Sequence, residues 1–186
     1  SELLTESQEG LKRVTRIVQD LKNFSHADES ELQLADIEAG LESTLRVAWN
    51  ELKYKAEVVK EFAGIPAILC HPLQLNQVFM NLLVNAAHAI DGVGKVMIRT
   101  GCDASNVWVQ VEDTGRGIRP EHLSKIFDPF FTTKPVGKGT GLGLSLSYGI
   151  VKKHQGRIDV KSEPGKGAVF TVFLPLNVAG AKPANS

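Results

Sequence analysis

The sequence carries no excess charge of either sign. Lys and Arg total 21 against 21 for Asp and Glu, a formal net charge of zero. A general polyanion binder carries a basic excess, so the balance argues against non-specific nucleic-acid binding. Phosphate recognition, if any, has to come from a local site. Cysteine is scarce: Cys70 and Cys102 stand alone, in no metal-ligand spacing. That predicts two free thiols in a reducing compartment rather than a disulfide scaffold or a zinc site. No apolar run approaches the ~20 residues that span a bilayer, and Ser1–Leu4 has no signal-peptide character. The expected location is cytoplasmic, with anchoring of a longer parent left open. Internal repeats and low-complexity tracts are also missing. What remains is 42% hydrophobic and 23% charged over 186 residues, the mix of one globular domain with a short appendage.

Residues 1–26 read as one amphipathic helix. Leu4, Leu11 and Val18 recur every seven residues, with Val14 and Leu21 between them and Ile17 and Phe24 widening the stripe. A lone helix cannot bury that stripe, so a partner helix is expected. Ala27–Glu31 reads as a hinge. The expected division is an appendage over 1–30, a domain over 31–176 and a frayed tail over 177–186. Within the domain, Leu32–Ala35 suggests a short strand and Asp36 a cap for a helix to about Lys55. Strands follow at Glu57–Ala63 and Ala67–Cys70 around a Gly64–Pro66 turn, then a helix over Pro72–Asp91. A hairpin pairs Lys95–Asp103 with Asn106–Asp113, and a short helix covers Pro120–Ile126. Residues 128–140 read as a long loop, followed by a helix over Gly141–Gln155. A second hairpin pairs Arg157–Ser162 with Ala168–Pro175. The predicted class is α+β, a two-layer sandwich with a mixed, mostly antiparallel sheet covered on one face by helices.

Four constellations carry chemistry. On the Pro72–Asp91 helix, Gln77, Asn81, Asn85 and His88 fall four, four and three apart and share one stripe. Asn costs roughly half a kcal/mol against Ala inside a helix, so two of them one turn apart suggest a ligand-facing ridge. A solvated face is the plainer alternative for either alone. Neutral amide oxygens suit a hard cation whose charge is met mainly by phosphates. The second constellation is Asp113-Thr114-Gly115-Arg116-Gly117-Ile118. Asp113 continues the inward row Val107, Val109, Val111, and a carboxylate there needs donors. An adenine amine is one candidate, and pinning of a turn is the other. The third, Phe127–Lys134, is either a local apolar clasp or, with Lys134 and Lys138, part of a cationic lid over about Phe131–Gly139. The fourth is Gly137-Lys138-Gly139-Thr140-Gly141-Leu142-Gly143-Leu144. Glycines leading into an amphipathic helix can present backbone N–H groups to phosphate. The spacing fits neither a P-loop nor a dinucleotide-binding fingerprint.

These blocks resemble the boxes of the sensor histidine kinases. Asn81-Leu82-Leu83-Val84-Asn85-Ala86 resembles the N box, and Asp113–Gly117 the first glycine box. Phe127–Lys134 resembles the F box, and Gly137–Gly143 the second glycine box. All four stand in family order, and the likeness covers about Leu32–Leu176. The resemblance implies an ATP-binding α/β sandwich shared with gyrase-type ATPases, using ATP and Mg²⁺. It implies Asn85 as the Mg²⁺ ligand, with Asn81 and His88 near the phosphates. Asp113 would read adenine, with Gly115, Gly117 and Ile118 beside it and Thr171 helping to order water there. Phe127, Lys134, Lys138, Gly139, Thr140, Gly141, Leu142 and Gly143 would complete the nucleotide site. Residues 1–26 resemble the second helix of the dimerisation and phosphotransfer hairpin, so a homodimeric parent and a response regulator are implied partners. None of His26, His71, His88, His122 and His154 has the sequence context of the family's phospho-acceptor, which is expected outside this chain.

Three functions remain at the level of sequence. One is a protein-histidine kinase catalytic domain that transfers the ATP γ-phosphate to a histidine elsewhere. Another is an ATP-hydrolysing clamp of the gyrase or mismatch-repair type, whose relatives place a glutamate base where Asn81 stands. The last is a non-catalytic nucleotide-binding module.

Overall fold

The computed structural model describes residues 31–135 and 139–176, with Ser7, Gln8, Gly10, Leu11, Thr15 and Val18 before them. Those six residues are helical, and Thr15 Oγ1 donates to the Leu11 carbonyl at 2.9 Å. The rest of the expected first helix, the hinge and the tail from Asn177 lie outside the described residues. In the domain the elements run β1 (Gln33–Ala35), α1 (Ile37–Leu52), β2 (Ala56–Glu61), β3 (Ile68–Cys70) and α2 (Pro72–Ala89). After these come β4 (Gly94–Cys102), β5 (Asn106–Asp113), α3 (Pro120–Leu123), α4 (Gly143–Lys153), β6 (Arg157–Glu163) and β7 (Gly167–Pro175).

The main sheet has the order β2-β4-β5-β7-β6. Only β2–β4 is parallel; the other three pairings are antiparallel. Parallel neighbours need a crossover, and β3 with α2 supplies it. The alternation legible in sequence is realised: Val96 and Ile98 on β4, Val107, Val109 and Val111 on β5, and Phe170, Val172 and Leu174 on β7 all point into the core. They meet α2, whose Leu75, Val78, Phe79, Leu82 and Leu83 are at most 1% exposed. Each such side chain contributes about 1.5–3 kcal/mol of burial. α2 is the central helix, with α1 and α4 packed along its flanks.

The helices begin and end where local chemistry directs. Asp36 caps α1, its side chain accepting from Ala39 N at 3.0 Å. Pro72 opens α2, where its missing N–H costs nothing. α3 is shorter than the expected Pro120–Ile126, because a tighter turn takes over after Leu123, with Lys125 N on the His122 carbonyl.

The strands on either side of Gly64–Pro66 do not pair with each other. β3 pairs with β1 in a separate two-stranded sheet, and β2 joins the main one. Glu38 explains the split. Its Oε1 accepts from Thr100 Oγ1 at 2.5 Å, Gly64 N at 3.0 Å and Ile65 N at 3.3 Å. One carboxylate oxygen from α1 therefore holds the connecting loop down against β4.

The face of the sheet away from the helices carries a different chemistry. Arg99 bridges Glu61 and Glu112 at 2.7 and 2.6 Å, Trp108 lies over Gly101, and the Arg157 guanidinium stacks 3.7 Å from the Phe173 ring centroid.

Candidate functional site

Three of the four constellations converge on the exposed stripe and C-terminal end of α2. The core face of α2 is fixed by its leucines, so Asn81 and Asn85 fall on its other side by helical spacing. Asn81 Nδ2 donates to the Gly143 carbonyl at 3.0 Å and to Ser147 Oγ at 3.1 Å. Its amide thus binds the first turn of α4 to α2. The next turn of the stripe faces a cation. Lys134 Nζ donates to Asn85 Oδ1 at 3.3 Å and lies 3.1 Å from His88 Nδ1. His88 Nε2 in turn lies 3.5 Å from Glu51 Oε2 on α1. Glu51 and Ser147 were not among the residues singled out in the sequence. Each is a single polar side chain on another helix, and only the packing of α1 and α4 on α2 brings it here.

The first glycine box wraps the end of α2. Arg116 N bonds the Ala89 carbonyl at 2.9 Å, and Arg116 Nη2 bonds the His88 carbonyl at 2.6 Å. A Cβ at Gly115 would stand 2.5 Å from that Ala89 oxygen, so this contact requires glycine. Gly117 holds φ +69°, a region that L side chains rarely adopt. Asp113 is 5% exposed on the helix-facing side of β5. Its carboxylate accepts from Gly115 N at 2.8 Å and from the Ala168 backbone N–H. Burial raises its pKa from the ordinary 3.8, and these two backbone bonds oppose the rise. Turn-pinning is therefore real. Ile118 sits beside this loop, its N–H on Ser162 Oγ at 2.8 Å.

The F box and second glycine box are joined by backbone. Phe130 N bonds the Gly141 carbonyl at 3.0 Å. Phe130 holds φ +67° and Gly141 φ +70°, and a Cβ on Gly141 would strike the Phe130 backbone. Phe127 stacks on Tyr148 of α4, centroids 5.3 Å apart. α4 starts at Gly143 with Leu142 as its cap residue and no side-chain cap. Thr140 Oγ1 accepts a long bond, 3.4 Å, from Leu142 N. A Cβ on Gly139 would stand 2.7 Å from Thr132 Oγ1. Lys138, with Val136 and Gly137, lies outside the described residues.

Thr171 does not join the others. It pairs with Gln110 on β5, while Asp113 pairs with Ala168. Side chains alternate along a strand, so Thr171 faces the opposite side of the sheet from Asp113. There it accepts from Gln110 Nε2 at 3.1 Å, beside Trp108, Asp159 and Lys161. The expectation that it orders water at the Asp113 position is corrected by this register.

The donor set at Asn85 fits a hard cation. A neutral amide oxygen already holds an ammonium, and no carboxylate touches it among the bonds described. Among the described residues no group of three or more His, Cys, Asp and Glu could hold a metal by itself, so phosphates would have to supply the charge.

Residues 70–178 match the family model described as histidine kinase-, DNA gyrase B-, and HSP90-like ATPase. Among curated proteins, the sensor histidine kinase ZraS of Klebsiella oxytoca is 38% identical over 89% of this chain and 36% of its own length. The signal transduction histidine-protein kinase AtoS of Escherichia coli is 39% identical over 90% of this chain and 28% of its own. The chain thus spans about a third of these relatives. Among solved structures, the catalytic domain of histidine kinase ThkA superposes with a TM-score of 0.70 at 29% identity, covering 78% of this chain and 98% of that one. Full-length ShkA in complex with AMPPNP reaches 0.78 at 27% identity, covering 97% of this chain and 39% of that one. The four boxes, the sheet order and these likenesses agree: the chain belongs to the histidine kinase-, DNA gyrase B- and HSP90-like ATPase family and carries an ATP-binding catalytic domain of the sensor-histidine-kinase type.

Proposed function

We propose that this chain binds ATP with Mg²⁺ and directs the γ-phosphate to a histidine on a helical hairpin outside this sequence, in a homodimeric parent that passes the phosphate to a response regulator. The observation that carries this reading is the cation on Asn85 Oδ1. α2 presents a neutral oxygen to a positive charge at the point where the glycine boxes and F box converge. Mg²⁺, when bound, neutralises phosphate charge there. Asn85 would be its protein ligand. Asp113 would accept from the adenine amine with whatever acceptor capacity Gly115 and Ala168 leave. The uncapped start of α4, with Gly139, Gly141 and Gly143 before and at it, would offer backbone N–H groups to phosphate. Lys134 and His88 would lie beside the terminal phosphates, and Phe127 would brace α4 through Tyr148. Catalysis would rest on positioning and electrostatics rather than on a covalent enzyme intermediate.

The hydrolytic-clamp reading requires a base where Asn81 stands. An amide cannot take a proton at neutral pH, and the Asn81 NH₂ is committed to Gly143 and Ser147. The test of the proposal is calorimetry of Mg·ATP binding to the parent and to Asn85→Ala. The variant should bind at least about tenfold more weakly, the order of one lost charge-assisted contact. Its melting temperature should be nearly unchanged, because Asn85 faces away from the core. Equal affinities would rule the assignment out.

A further inference from the structure

α1 contributes one ionisable side chain to this site. Glu51 Oε2 lies 3.5 Å from His88 Nε2, His88 Nδ1 lies 3.1 Å from Lys134 Nζ, and Lys134 Nζ donates to Asn85 Oδ1 at 3.3 Å. An ammonium offers only donors. His88 Nδ1 must therefore present its lone pair to Lys134, which leaves the ring proton on Nε2, facing the carboxylate. A carboxylate behind an imidazole fixes both its tautomer and its rotation. Four side chains from α1, α2 and the end of the F box thus form one line that ends on the Asn85 amide oxygen.

We propose that Glu51 is a positioning residue of the nucleotide site: through His88 it holds the Lys134 ammonium on Asn85 Oδ1, so that Lys134 competes with Mg²⁺ for that oxygen. Glu51 then sets the Mg²⁺ concentration at which ATP is taken up. The inference rests on the reading of Asn85 as the metal ligand. Lys134 and Mg²⁺ cannot share one oxygen at contact distance, since like charges there repel. A metal entering with phosphates has to displace the ammonium, and the phosphates offer it new partners. Glu51 and His88 oppose that release, because together they fix the acceptor that Lys134 would leave. Fold stability gives Glu51 no comparable role: the Glu51 and His88 side chains are 55% and 41% exposed, and exposed pairs contribute little to stability.

The experiment is ATP binding by calorimetry at stepped Mg²⁺, on the full 186-residue chain. Glu51→Gln should lower the Mg²⁺ midpoint by about three- to fivefold, the size of a lost exposed ion-pair contact. Lys134→Met should lower it as well. Glu51→Gln added to Lys134→Met should have no further effect, because the carboxylate acts only through the lysine. Nitrogen-15 spectra of His88 should show the Nε2–H tautomer in the parent and a mixture in Glu51→Gln, a change that general helix packing would not produce. A parent-like midpoint in Glu51→Gln overturns the proposal. So does an equal shift in the Lys134→Met background, which would make Glu51 a general field charge. Asn85→Ala keeps the two levels apart. If it abolishes the Mg²⁺ dependence while Glu51→Gln behaves like the parent, only the role of Glu51 fails. If Asn85→Ala retains the parent midpoint, the metal-ligand reading itself falls and the proposal with it.

Discussion

At the residue scale, Asp113, the proposed adenine contact, works against the fold that holds it. Its pKa is raised by burial, so the unfolded chain releases this proton more readily than the folded one. Stability contributed by the protonated carboxyl is therefore lost as pH rises through the folded pKa, and near neutrality the buried carboxylate is a net cost. Asp113→Asn keeps an oxygen for Gly115 N and removes the charge. It should melt at the same or a higher temperature while binding ATP at least about tenfold more weakly. GTP, which presents an oxygen where ATP has its amine, should bind the parent poorly; comparable ATP and GTP affinities would remove adenine recognition from Asp113. His154 runs the other way. Its Nε2 accepts from His71 N at 3.0 Å and its Nδ1 faces the Ile150 carbonyl at 2.8 Å. A carbonyl only accepts and an amide N–H only donates, so the ring is neutral with its proton on Nδ1. Burial holds its pKa below the ordinary 6.5, against the Ile150 bond that raises it. Its contribution is thus present in full above the unfolded value and is lost as pH falls towards the folded one. The melting-temperature gap between the parent and His154→Gln should narrow from about pH 8 to about pH 5. A gap independent of pH would contradict the assigned tautomer. The inward place of Asp113 was legible from the row Val107, Val109, Val111. The partners of His154 were not, because they come from the β3–α2 junction and the end of α4.

At the element scale, helices and hairpins were legible because their determinants are local. The Asp36 cap, Pro72 and the period-two valines act within a few residues. The assignment of β2 and β3 to different sheets was not, because it depends on long-range contacts that no local pattern encodes. Parallel pairing of β2 with β4 spans a whole helix, and Glu38 fixes the loop between β2 and β3 from another element. The face of Thr171 illustrates the same limit. The period of β7 was readable, but which face is inward depends on its register with β5. Glu38 offers a direct check on the loop. Glu38→Ala leaves Gly64 N, Ile65 N and Thr100 Oγ1 without their shared acceptor. It should cost about 1–3 kcal/mol in urea unfolding, with ATP affinity little changed because the loop lies away from Asn85. Glu38→Gln, which keeps an oxygen there, should recover much of the loss. A loss below about 0.5 kcal/mol in the alanine variant would show that water replaces the carboxylate.

At the scale of the whole molecule, the proposed function puts the phosphate acceptor on a segment separate from the site. Transfer requires an acceptor nitrogen within about 3–3.5 Å of the γ-phosphorus, in line with the leaving oxygen. Three of the four described histidines are engaged elsewhere. His71 and His154 pack edge to face, centroids 5.4 Å apart, and both His154 nitrogens are used. His122 on α3 packs against the Phe131 ring at 5.5 Å. His88 does lie at the proposed site, but it stands on the same helix as the proposed metal ligand, with one nitrogen on Lys134 and the other facing Glu51. That geometry suits contact with a phosphate rather than in-line attack on it. His26 lies outside the described residues, and in sequence it lacks the acceptor's context. The expected outcome is that the isolated chain binds ATP, turns it over slowly and gains no stable phosphate. Adding the helical hairpin that carries the acceptor, joined in a longer chain or supplied separately, should give label on a histidine outside this sequence. Incubation with γ-labelled ATP measures this, and lability in acid distinguishes phosphohistidine from phosphoserine. Replacing Asn85 in the catalytic chain should suppress that label, whereas replacing His88 should slow it without moving its position. Acid-labile label on the isolated chain, lost on replacing His26, would instead make His26 the acceptor and place both halves of the reaction within these residues.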